Sequence, residues 1–83
     1  MDNCKYILIK QTVLGRKLET FYMFPPFIKH KDFCKNILKE DDTILSAGFV
    51  DLGSKNCYGR SSSLNIKSNP DIDNIYLSTL YKE

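Results

Sequence analysis

The chain has 83 residues, of which 42% are hydrophobic, with five Tyr, five Phe and a formal net charge of +2 at pH 7. This length predicts a single domain over residues 1 to 83 with a small core, which association often stabilises, so we expect a homo-oligomer. The composition argues against a disordered chain, and the small net charge argues against binding of duplex nucleic acid. No apolar run reaches the roughly 20 residues of a membrane span.

The first predicted element is a β-hairpin. Residues 4 to 11 are rich in residues that favour strands, and a turn around Gly15 leads to a second strand from residue 18 to 24. Pro25 and Pro26 end that strand, because proline has no amide hydrogen to donate to a neighbouring strand.

A short amphipathic helix and a third strand follow. The spacing of Phe33, Ile37 and Leu38 predicts a helix from residue 30 or 31 to about residue 39. The third strand is predicted over residues 43 to 52 and contains the small residues 46 to 48, where a backbone or a ligand can approach closely.

A fourth strand is predicted from Cys57 to about residue 66, composed largely of small and hydroxyl side chains. Alternation along it places Gly59, Ser61 and Ser63 on one face, which is therefore nearly bare. Two interpretations remain open for this face: a polar ligand approaches the backbone there, or a helix or partner subunit packs on it.

The last predicted element is a helix from Pro70 to about residue 81. Ser68 or Asn69 can cap it, proline is favoured at the first helical position, and Asp71 and Asp73 suit the first turn. We expect the helix to cover the sheet with one apolar side, formed by Ile72, Ile75, Tyr76 and Leu80.

The element order is therefore ββαββα. Two hairpins, each followed by a helix, predict an α+β fold with a four-stranded antiparallel sheet, and we expect both helices on one face of it. The charge is distributed unevenly along the chain: residues 1 to 39 carry eight Lys and Arg against three acidic residues, and residues 40 to 83 carry four against seven. This asymmetry predicts a basic side.

Catalytic and metal sites lack support in the sequence. Cys4, Cys34 and Cys57 are odd in number and widely spaced, which fits neither a disulfide framework nor a zinc site. His30 and Cys34 lie four residues apart, but no residue is marked out to orient them as a nucleophile and base. No phosphate-binding loop motif occurs. We expect no metal, no cofactor and no enzymatic activity.

The residues favour a binding site for an anion or a nucleotide. Helix N-terminal amides, hydroxyl groups and nearby cations all attract negative charge, and a tyrosine can stack on a base. We expect such a pocket to form between subunits, where burial is deeper than one small domain offers. The candidate ligand-binding residues are Arg60, Ser61, Ser63, Lys67, Ser68, His30 and Tyr58.

Several short segments together resemble a group of small phage and prophage proteins with the pattern FP…H…SAGF…YGxSxSL…SxPxD. In this chain they are FP at 24 to 25, His30, SAGF at 46 to 49, YGRSSSL at 58 to 64 and SNPD at 68 to 71. The likeness runs from about residue 5 to residue 80, with Asn69 and Ile72 where charged residues are commoner.

This resemblance implies a role in counter-defence. One mechanism is sequestration of a cyclic-nucleotide or ADP-ribose-type immune signal, as in phage nucleotide sponges, and it is the one we favour. The alternative is docking on a host defence protein, in the manner of anti-CRISPR proteins, and a third is an accessory role in the virion. Because Met1 to Asn3 followed by Lys5 do not resemble a signal peptide, we expect a cytoplasmic location.

Overall fold

The computed structural model describes residues 3 to 80. Within them, a four-stranded antiparallel sheet has the strand order β2-β1-β3-β4 and a separate pair is formed by β5 and β6. No helix within this range is long and apolar enough to cross a membrane. In chain order, the elements are β1 (Asn3–Val13), β2 (Arg16–Phe24), α1 (His30–Ile37), β3 (Thr43–Asp51), β4 (Asn56–Tyr58), β5 (Arg60–Ser61), β6 (Ile66–Lys67) and α2 (Pro70–Leu80).

The predicted α+β class, the four-stranded antiparallel sheet and the two helices are confirmed. The order differs from ββαββα because the fourth strand is short and is followed by the small β5-β6 pair. Helix α2 begins at Pro70 as predicted, with the Asn69 carbonyl accepting hydrogen bonds from the amides of Ile72 and Asp73. Its predicted end at Tyr81 lies outside the described residues.

The prediction of one continuous strand from Cys57 to residue 66 was wrong. Gly59 has a φ of 77°, a left-handed conformation that turns the chain out of the sheet directly after β4. A tight turn then joins β5 to β6, with Asn65 at a φ of 55° and the amide of Leu64 donating to Ser61 Oγ. The segment therefore forms a small hairpin with no bare strand face.

The two helices lie on opposite faces of the sheet, and the expectation of a single covered face was wrong. Neighbouring residues in a strand point to opposite sides, and the run from Tyr6 to Ile9 in β1 is buried throughout. On the α1 side, the core comprises Ile7, Ile9, Phe24, Cys34 and Ala47. On the α2 side, it comprises Tyr6, Val50, Cys57 and Leu77.

A β-bulge in β3 adjusts which residues face each core. Leu8 pairs with Ser46, whereas Ile9 pairs with Ile44, so Leu45 is an extra residue in the register. Ile44 can therefore pack against the core on the α1 side together with Ile9.

Helix α2 covers the sheet with a different side from the one predicted. Asp73 and Leu77 are its fully buried residues, whereas Ile72, Ile75 and Leu80 are 46%, 65% and 52% exposed. The Asp73 carboxylate accepts hydrogen bonds from three groups, which compensates its loss of water. These groups are the Tyr6 hydroxyl, the Ser46 hydroxyl at 2.7 Å and the Asn69 amide at 2.8 Å.

Candidate anion-binding pocket

A cavity of about 410 Å³ lies on the α1 side of the sheet. It is formed within one copy of the chain, by β1, β3, the start of α1 and the β5-β6 hairpin. Of the residues predicted as a binding site, Arg60, Ser63 and His30 line it. The complete lining is Lys5, Lys29, His30, Phe49, Arg60, Ser62 and Ser63.

Three cationic side chains surround this cavity, and no Asp or Glu of the described chain lines it. Lys5 is half-buried and its ammonium donates to the Ile28 carbonyl at 2.9 Å, so two of its three N–H groups remain for other acceptors. Lys29 and Arg60 are exposed. The Arg60 guanidinium donates to the Asn65 side chain, which holds it beside the hairpin turn. The cavity therefore has positive charge both at the half-buried Lys5 and at the exposed Lys29 and Arg60.

His30 is almost completely buried and is positioned by the sheet. Its Nε2 lies 2.9 Å from the carbonyl oxygen of Gly48, and its ring meets Phe24 and Phe49 edge to face. Burial lowers the pKa of His30 and the nearby charge of Lys5 lowers it further, against the opposing effect of the hydrogen bond to Gly48. At neutral pH the imidazole is therefore uncharged, and it contributes a wall and a positioning contact.

The aromatic wall of the cavity is Phe49, which sequence reasoning missed in favour of Tyr58. Tyr58 does not line the cavity but stacks on Phe49, with ring centroids 5.8 Å apart. Gly59 makes this packing possible, because a Cβ there would lie 3.1 Å from the Phe49 ring. Phe49 therefore offers a supported aromatic surface to a ligand.

The hydroxyl groups divide into two roles. Ser62 and Ser63 line the cavity, and Ser63 Oγ also accepts a hydrogen bond of 3.2 Å from the Lys31 amide, which joins the hairpin to the first turn of α1. Ser61 is only 1% exposed, and its Oγ accepts from the Leu64 amide at 3.2 Å. Ser61 therefore stabilises the turn and does not face the cavity.

The structure leaves four of the predicted binding residues outside the cavity lining: Tyr58, Ser61, Lys67 and Ser68. The amide of Ser68 instead donates to the Gly59 carbonyl at 3.0 Å and closes the hairpin. Lys5, Lys29, Phe49 and Ser62 were missed. The excess of basic residues in the first half of the chain was the available signal for the two lysines, but it did not single them out.

A second cavity, of about 280 Å³, lies on the α2 side. Its polar lining includes Glu19, Ser46, Asn69 and Asp73. The last three are already hydrogen-bonded to one another through the Asp73 carboxylate, and Glu19 accepts from Tyr76. Its two carboxylates make it unsuited to an anion.

The thiols are held in their protonated form. Burial raises the pKa of all three cysteines, and that of Cys57 reaches about 12. A protonated thiol is a poor nucleophile and a poor metal ligand. Among residues 3 to 80, no group of three or more His, Cys, Asp or Glu is placed to hold a metal ion.

Comparison of the chain with protein-family models, with curated proteins and with solved structures gives no match.

Proposed function

We propose that the protein binds an anionic, nucleotide-derived small molecule in the cavity on the α1 side and holds it without chemical change. The observation that supports this most strongly is the meeting of Lys5, Lys29 and Arg60 around one cavity with no carboxylate of the described chain in its lining. The volume of about 410 Å³ falls in the range of small-molecule sites. Phe49 supplies an aromatic surface for a base.

The half-buried ammonium of Lys5 favours an anionic ligand for an energetic reason. Removing a cation from water is costly unless an opposite charge or hydrogen-bond acceptors replace the water. Among residues 3 to 80, the Ile28 carbonyl is the one protein acceptor of the Lys5 ammonium. A phosphate oxygen at its free N–H groups would complete its coordination with charge-assisted hydrogen bonds.

Binding without turnover is supported by the state of the reactive side chains. His30 is uncharged and its Nε2 is engaged with Gly48, so it is not poised to exchange a proton with a ligand. Cys34 and Cys57 are buried thiols with raised pKa values. The Ser62 and Ser63 hydroxyls line the cavity. The imidazole of His30, which also lines it, is hydrogen-bonded to the backbone of Gly48 and not to either hydroxyl.

The biological role we propose is sequestration of a nucleotide-type immune signal by a phage protein in the host cytoplasm. Its support is the FP…H…SAGF…YGxSxSL…SxPxD pattern, of which His30, Phe49 and Ser63 are part of the cavity lining. A protein that only retains its ligand needs binding contacts and no catalytic group.

We also propose that the protein associates with copies of itself through α2. Ile72, Ile75 and Leu80 are large apolar side chains left 46% to 65% exposed on this helix. Burying them between subunits would remove apolar surface from water. The same face favours the second candidate function, docking on a host defence protein. Analytical ultracentrifugation of the wild type and of Ile75→Lys separates the two, because only self-association predicts a concentration-dependent mass that the variant lowers.

Thermal-shift screening against cyclic dinucleotides, cyclic trinucleotides and ADP-ribose tests the binding function. A tight ligand at a thousandfold excess over its Kd stabilises the folded state by about 4 kcal/mol. For a chain of this size, that free energy corresponds to a large rise in melting temperature. Arg60→Ala should abolish the shift while the fold persists. Lys10→Ala, an exposed lysine of β1 outside the cavity, should not change it.

Recovery of the bound molecule tests the absence of catalysis. Ligand released by heat denaturation should have an unchanged mass, and a cleaved product would replace the sequestration proposal with an enzymatic one. Absence of any shift, together with capture of one defence protein in stoichiometric amount, would favour the docking function instead.

A further inference from the structure

The three cations around the cavity lie at different depths. Lys5, near the start of β1, is half-buried and already bonded to the Ile28 carbonyl. Lys29 and Arg60 are exposed, one directly before α1 and the other at the start of β5. The cavity therefore has an inner cation and two outer cations supplied by separate elements.

We infer that the ligand carries at least two phosphoryl groups, an inner one bound by Lys5 and an outer one bound by Lys29 and Arg60. This inference rests on the proposed nucleotide-binding function and specifies its ligand class. A single phosphoryl group concentrates its oxygens around one phosphorus atom, and placing it at the inner cation leaves the exposed outer pair solvated and without a contact to the ligand. A second group extends the negative charge to the mouth of the cavity.

The side-chain chemistry fits this division. An arginine binds phosphate oxygens through two parallel N–H donors, and Asn65 holds the Arg60 guanidinium at the hairpin. Lys29 has no side-chain role in capping α1. Lys5 is constrained by Ile28 and presents its remaining donors in a less solvated environment, where a charge-assisted hydrogen bond is stronger.

Isothermal titration calorimetry with four probes tests the inference: inorganic phosphate, pyrophosphate, AMP and ADP. We expect ADP to bind about tenfold more tightly than AMP, and pyrophosphate more tightly than phosphate, because the second phosphoryl group gains contacts to the outer cations. Equal Kd values for AMP and ADP would overturn the inference while leaving the nucleotide-binding function standing.

Two variants assign the inner and outer positions. Lys29→Gln should weaken ADP but leave AMP nearly unchanged, so that the ADP preference falls to about threefold or less. Lys5→Met should weaken both probes by similar factors and keep their ratio. If Lys29→Gln weakens AMP and ADP equally, the two-position arrangement is wrong.

The outcomes also separate this inference from the proposed function. If ADP binds no more tightly than pyrophosphate, the two phosphoryl positions are supported and nucleotide recognition is refuted. Absence of binding by all four probes would refute the inference, whereas the binding function is decided separately by the thermal-shift screen against cyclic dinucleotides, cyclic trinucleotides and ADP-ribose. Because Lys5→Met also removes the contact with Ile28, its circular dichroism spectrum and melting temperature are compared with those of Lys10→Met, and the Lys29→Gln result decides the inference if Lys5→Met does not fold.

Discussion

The Nε2 atom of His30 lies 2.9 Å from the carbonyl oxygen of Gly48, which bonds the first residue of α1 to the backbone of β3. The contact fixes the start of the helix beside the cavity, where Lys29 precedes it and Phe49 follows Gly48. A buried imidazole is sensitive to pH, because a charged ring is costly to bury.

Stability should fall as the pH is lowered from about 7.5 to about 5, in part through His30. Burial lowers the pKa of His30 in the folded protein below its ordinary 6.5, so the unfolded chain takes up a proton at a higher pH than the folded one. The stabilisation from the neutral ring is present above pH 6.5 and is lost as the pH falls towards the folded-state pKa.

Urea denaturation at intervals across this pH range measures the effect. The variant His30→Gln should have a flatter pH dependence than the wild type over the same range. Equal slopes for the two proteins would show that His30 does not titrate on unfolding.

Tyr6→Phe should destabilise the protein by about 1.5 to 3 kcal/mol, since it removes a buried donor to a carboxylate. The Tyr6 hydroxyl is one of three donors to Asp73, and both residues are fully buried. Tyr22→Phe is the matched control, because the Tyr22 hydroxyl donates to Gln11 at 3.1 Å in a partly exposed position. Guanidinium denaturation should find a clearly larger loss for Tyr6→Phe, and equal losses would contradict the role of Asp73.

Gly48→Ala should destabilise the protein by about 1 to 3 kcal/mol or more, because the added methyl group overpacks a rigid position. A Cβ on Gly48 would overlap the carbonyl oxygen of Tyr58 and also press on the Tyr6 ring and on Ser68. Gly53→Ala is the control, since a Cβ there meets only the carboxylate end of Asp51 at 3.3 Å. Thermal denaturation should find Gly53→Ala close to the wild type, and a similar value for Gly48→Ala would refute the close approach.

Ser61→Leu should disrupt the β5-β6 hairpin. Ser61 is 1% exposed and its Oγ is bonded to the Leu64 amide, so a larger apolar side chain removes the bond and has no space. We expect a stability loss of about 1 to 3 kcal/mol. Ser62→Leu, at the exposed neighbouring position, should have little effect on the melting temperature. A stable Ser61→Leu protein would contradict the burial of this hydroxyl.

The thiols of Cys34 and Cys57 should be unreactive in the native protein. Both are buried and their pKa values are raised, that of Cys57 to about 12, so little thiolate exists near pH 8. Ellman's reagent should therefore label them only after denaturation. Rapid labelling of Cys57 in the folded protein, located by mass spectrometry, would oppose this prediction.

Features determined by short stretches of chain were predictable from the sequence. The start of α2 follows from a proline, whose φ suits the first helical position, and the N-terminal hairpin follows from strand-forming residues around Gly15. In each case the preference belongs to a few neighbouring residues. The break after Tyr58 was missed, because glycine also occurs within strands. Only the φ of 77° at Gly59 marks the turn.

The arrangement of the elements in space was decided by the tertiary structure. The Tyr6 and Ser46 hydroxyls donate to Asp73, which allows this residue to be buried. As a result, a different side of α2 from the predicted one covers the sheet. The cavity likewise combines Lys5 of the first strand with Arg60 of the hairpin, which are distant in sequence. Sequence patterns report local conformation, whereas these contacts arise from strand pairing and from packing between remote segments. The sequence by itself therefore determined most of the elements, and the tertiary structure determined the site.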